Sequence, residues 1–166
     1  GTFLSFRNHI ENIGIDAFCE NIEVEGTNAS TGPTALDPQA PPGSPQYDGL
    51  REFEHAFAFY GVVRGKLLGC RAHNVWGDGW FVGNDGRNAG SNPSVDFTVD
   101  DFESRGVGRQ IGAISAHVSS SGGLNGAHGI IKGHKVLGRT RRAGVDIEPD
   151  LGRPVEDLEF VGFDIS

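Results

Sequence analysis

The chain has 166 residues, enough for one domain with a sizeable core. Gly is frequent at 26 residues, Met is absent, and strand and turn formers outnumber helix formers, which points to strands joined by many turns. Fourteen Lys and Arg against 22 Asp and Glu leave a formal charge of −8, so the basic excess that nucleic-acid binding uses is missing; no apolar run reaches the length of a membrane span either.

Residues 1–18 carry Phe3, Phe6, Ile10, Ile13 and Ile15 between turn residues and read as a first coil of the chain. Glu20-Asn21-Ile22-Glu23-Val24-Glu25-Gly26 then puts apolar residues two apart and closes on Gly, the period of a strand with one buried face. The Gly-, Ser- and Pro-rich run that follows, with Pro33, Pro38, Pro41, Pro42 and Pro45, sustains neither helix nor ladder and predicts a loop excursion over 26–49. Strands follow at His55–Gly61, Val63–Cys70, Asp78–Gly83, Val95–Val99, Ile111–Ala116, Gly129–Ile131 and Ala143–Glu148. The last, Glu156–Gly162, repeats the Glu20–Gly26 stretch almost letter for letter.

From Val24 to Leu67, Val99, Ile131 and Phe160 the steps are 43, 32, 32 and 29 residues. A step near 30 that keeps strand phase predicts a solenoid of about five coils, with those five residues in one inward column and parallel pairing between coils. Gly69, Asp101 and Gly133 each follow a repeat strand, where residues that tolerate positive φ support a sharp corner. The loops Gly83–Ser94, Ser119–His128 and Pro149–Pro154 fall at equivalent places and predict one loop-bearing edge. A Greek-key β-sandwich would need antiparallel pairing and no such step. Cys19 and Cys70 lie in different phases of the repeat and read as two free, buried thiols, with no metal-ligand spacing around either.

The stretches NVWGDGWFVG (Asn74–Gly83), RAGVDIEPD (Arg142–Asp150) and VEDLEFVGFDIS (Val155–Ser166) resemble successive coils of the right-handed parallel β-helix of the pectate-lyase-like superfamily, in the form found in phage tailspikes and related polysaccharide-acting proteins. The resemblance covers 10–166 apart from the Pro-rich excursion. It implies an all-β, right-handed parallel β-helix, one domain over 1–166 or a piece of a longer solenoid. It also implies a groove for carbohydrate, an extracellular or virion-surface setting, and a homo-oligomer, trimeric in viral members. The sequence departs from the enzymes of that superfamily. Polygalacturonase-like members carry paired Asp after Gly, whereas Gly77-Asp78-Gly79 has one. No contiguous carboxylate set with a Lys or Arg base marks a Ca²⁺-dependent lyase, and Asp146-Ile147-Glu148-Pro149-Asp150 only partly matches the Asp-Pro-His-Glu run of alginate epimerase-like coils.

The candidate acids are Asp78, Asp146 and Glu148. The last two alternate with Val145 and Ile147 and so point outward. Carboxylates one or two coils apart would lie about 5–10 Å from each other, within the reach of a glycosidase acid and base. The plain alternative is that they cap turns. Arg139, Arg141 and Arg142 form a basic cluster suited to clamping a uronate or sulfate, Arg141 and Arg142 being the substrate-binding candidates, or to bridging Asp146 and Glu148. Trp76 and Trp80 flank Asp78 and offer rings to sugar faces or to the core. His117, His128 and His134 lack zinc spacing, so no metal site is expected. The expected function is polysaccharide recognition, with or without cleavage by a lyase or glycoside hydrolase. No cofactor is expected beyond Ca²⁺ in the lyase case. The alternative is a non-catalytic structural or adhesive tail or surface-fibre module. Convergence of two carboxylates and a cation in a groove, beside an exposed Trp, would separate the two. The strand near Leu158 is expected to pair with further chain or a partner subunit.

Overall fold

The computed structural model describes residues 4–7, 16–26, 54–60, 62, 64–83, 96–115, 129–133, 135–137, 144–148 and 158–165. Among these the chain is all-β. The strands are β1 Leu4–Arg7, β2 Ala17–Glu20, β3 Glu23–Glu25, β4 Phe57–Tyr60, β5 Gly65–Leu68, β6 Arg71–His73, β7 Trp80–Gly83 and β8 Phe97–Asp100. They continue with β9 Glu103–Arg105, β10 Gly112–Ser115, β11 Gly129–Lys132, β12 Lys135–Leu137, β13 Val145–Glu148, β14 Leu158–Val161 and β15 Asp164–Ile165.

The strands form three five-stranded sheets, ordered β1-β4-β7-β10-β13 (sheet A), β2-β5-β8-β11-β14 (sheet B) and β3-β6-β9-β12-β15 (sheet C). Every pairing is parallel, as the repeat spacing predicts and a Greek key would not allow. Each successive trio of strands, a round, gives one strand to each sheet.

Alternation along each strand sorts its residues onto two faces. In sheet B, Cys19, Leu67, Val99, Ile131 and Phe160 stand in one register row, in which Cys19, Leu67 and Val99 are buried and Phe160 is 41 % exposed. The expected register and parallel pairing therefore hold from Leu67 onward, and the start is wrong, because Val24 lies in sheet C opposite Ala72. The step from Cys19 to Leu67 is 48, not 43. The letter match that misplaced Val24 equated two different corners. Gly162 turns from sheet B to sheet C, whereas Gly26 follows sheet C, its N–H donating to His73 O at 2.7 Å.

The B-to-C corner is held by Asn21, Gly69, Asp101, Gly133 and Gly162, all left-handed with φ between 50° and 65°. Asn and Asp stand in for Gly there because their short polar side chains tolerate this conformation best among residues with a Cβ. The corner amides keep the bonding between rounds: Asn21 N donates to Leu68 O at 2.9 Å, Gly69 N to Asp100 O at 2.9 Å, and Gly133 N to Val161 O at 3.0 Å.

One apolar cluster draws on all three sheets, with Phe57, Trp80, Val82 and Ile114 from A, Leu67, Phe97 and Val99 from B, and Val24 and Ala72 from C. Cys19 and Cys70 are both free and buried within it, in line with the sequence. Glu23, Arg71, Glu103, Lys135 and Asp164 stand in register along sheet C, residue types of alternating charge. The loops expected along one edge, the 26–49 excursion beyond Gly26, and His117, His128 and His134 lie outside the described residues.

Candidate functional site

The face that the sequence marked for chemistry is the outer side of sheet A with the C-to-A corner before it. Main-chain bonds stack this corner round on round. Ala56 N donates to Asp78 O at 3.0 Å, Gly79 N to Gln110 O at 3.2 Å, and Ile111 N to Gly144 O at 3.0 Å. His55, Asp78 and Gln110 thereby occupy equivalent positions in three consecutive rounds, two residues ahead of Phe57, Trp80 and Gly112 in the sheet register.

Asp78 does not face solvent. Its relative exposure is 0 %, and that of His55 is 1 %. Asp78 Oδ1 accepts from Gln110 N at 3.5 Å and lies 3.9 Å from Arg109 Nε. Two groups compete for His55 Nδ1. Asp78 Oδ2 is 3.0 Å away but lacks the alignment of a hydrogen bond, while the Asp78 N–H is aligned on Nδ1 at 3.2 Å. The His55 ring stacks on Phe81 at 5.0 Å and 12°, and Tyr60 lies 5.4 Å from the same ring. Gln110 is buried with both side-chain amide atoms lacking a hydrogen-bond partner.

A carboxylate so enclosed anchors a corner among the described residues. The other candidates are spread out. Asp146 is half-buried on the outward row of sheet A, in register with Ala113 and, one strand further, Phe81. It is two rounds from Asp78, about 10 Å by strand spacing alone, and three residues further along the strand direction, about 10 Å more. That separation exceeds the ~9.5 Å limit of an acid and base pair. Glu148 pairs in register with Ser115, and its side chain is outside the described set, as are Arg141 and Arg142. Trp76 is half-buried. Trp80, in contrast, is a core residue, fully buried and tilted against Phe97 at 6.4 Å, so it offers no ring face to a sugar.

No protein family model matches this chain, and neither a curated protein nor a solved structure matches it.

The sequence reading missed His55 and Arg109 as partners of Asp78. The available signal was the short sheet-A step of 23 residues from Phe57 to Trp80, which carries His55 onto Asp78. It was hidden because the repeat was measured from Val24 in sheet C and then along sheet B, never on sheet A.

Proposed function

We propose that the three sheets are the faces of a right-handed parallel β-helix of five coils, of the pectate-lyase-like kind, and that it recognises polysaccharide at an extracellular or virion surface as a binding module rather than a depolymerase. The strand order and wholly parallel pairing support the architecture. The observation that carries the binding reading is the burial of Asp78 against His55, which removes the best-placed acid from any groove. Tyr60 and Phe81, half-buried neighbours on sheet A, are aromatic surface of the kind on which sugar rings stack, with Asp146 in the same row as Phe81 to accept hydroxyl hydrogen bonds. Exposed Ile147 and Phe160, in β13 and β14, are where further chain or a partner subunit would pair.

A glycan array with mass-spectrometric product analysis tests this reading. Binding without depolymerisation is expected, with Phe81→Ala weakening it about tenfold. Glycan shortening that Asp78→Asn or Glu148→Gln abolishes would overturn the non-catalytic reading. Absence of binding to any glycan would leave a structural fibre module as the better account.

A further inference from the structure

A second group of polar side chains lies on sheet C, away from the face just described. Glu23 and Glu25, two apart on β3, project from its outward side, and His73 on β6 is the register partner of Glu25. The His73 side chain is only 14 % exposed, against 52 % for Glu23 and 58 % for Glu25. Its Nδ1 lies 3.4 Å from Glu23 Oε1 and 3.7 Å from Glu25 Oε2. One ligand atom from each of the three lies within 4.8 Å of the other two. Two ligands bound at about 2.1 Å to one tetrahedral ion are about 3.4 Å apart, so two edges of such a polyhedron are already in place.

The surroundings orient these atoms. His73 Nε2 is 3.2 Å from Glu103 Oε1 on β9, the carboxylate-behind-histidine arrangement that fixes the tautomer and turns the Nδ1 lone pair toward a metal. Asn74 Nδ2 donates to Glu25 Oε1 at 2.7 Å, leaving Glu25 Oε2 directed at His73. With Nε2–H given to Glu103, two carboxylates and a lone pair converge on one point. Such a point is stabilised by a cation. Among the described residues the nearest positive groups are Arg71, the register partner of Glu23, whose Nε is 4.0 Å from Glu103 Oε2, and Arg105, the register partner of His73, which is exposed on β9.

We propose that Glu23, Glu25 and His73 form a binding site for a single divalent transition-metal ion of the Zn²⁺ type, with Glu103 positioning the imidazole and solvent completing the coordination. Mixed imidazole and carboxylate donors suit Zn²⁺ and its neighbours better than the all-oxygen preference of Ca²⁺. The site has no bearing on the glycan reading and stands or falls separately.

The test is calorimetric titration of the full chain with Zn²⁺ at pH 7.5, read alongside histidine ¹⁵N–¹H spectra. One equivalent should bind, with the His73 Nδ1 resonance perturbed and that of His55 unchanged. Glu25→Gln, at an exposed position that leaves the fold intact, should weaken binding at least 100-fold, as should His73→Ala. Glu103→Gln should weaken it about 10- to 100-fold through the imidazole orientation. Binding that survives both Glu25→Gln and His73→Ala, binding confined to other histidine resonances, or millimolar affinity in the parent would each overturn the site.

Discussion

Cys19 and Cys70 show what enclosure between sheets does to a titratable side chain. Burial pushes the Cys19 thiol up from an ordinary 9.0 to about 11, with Cys70 beside it adding to the rise. Burial also raises Cys70, against an opposing pull from the backbone of Ile22, Leu68 and Asn21. The Cys70 thiol donates to Cys19 O at 3.4 Å. Because the folded state holds these protons more tightly, their contribution to stability is intact below pH 9 and is lost as the pH climbs toward 11. Urea unfolding midpoints should therefore fall between pH 9 and pH 11, and less so in Cys19→Ala. At pH 8 both thiols should react with a disulfide reagent only as fast as the chain opens. Prompt labelling of the native protein would contradict this.

At the scale of the element, glycine marks where one round presses on the next. Gly112 lies over the Trp80 indole so closely that a methyl group there would fall within the ring. Gly112→Ala should cost about 3 kcal/mol or more, the upper end of overpacking. Asp101→Gly should leave stability unchanged or raise it by up to ~1 kcal/mol, since it relieves a left-handed Asp where neighbouring rounds carry Gly. Chemical denaturation of both variants checks the pair. Those corners were legible in the sequence because a positive φ restricts which residues fit, and the restriction recurs at Gly69, Asp101 and Gly133. The first round was not legible, since its corner residue is Asn21 and its step is 48. Had Asn21 been aligned with Gly69, Glu25 would have fallen on His73 and the sheet C cluster would have been readable. The burial of Asp78 was not legible for a different reason. Alternation assigns inside and outside only along a strand, and Asp78 sits in a corner, where main-chain bonds to Ala56 and the side chain of His55 decide its surroundings.

For the whole molecule, each strand bonds only to the equivalent strands one round before and after, so packing is set by nearest neighbours. Phe97, 1 % exposed in the second sheet's middle strand, should cost about 3–5 kcal/mol when cut to Ala. Phe160, 41 % exposed on β14 and resting on Phe163 at 5.9 Å, should cost about half as much. Equal losses would mean that β14 is covered in solution. The alternating charges on sheet C carry a further consequence. The backbone repeats every round, but the row Glu23, Arg71, Glu103, Lys135, Asp164 repeats every two. Excising residues 100–131, one round of 32, would keep every corner and column in phase yet set Arg71 against Lys135, whereas a loss or gain of two rounds restores opposite charges. Length in such a chain thus has a parity.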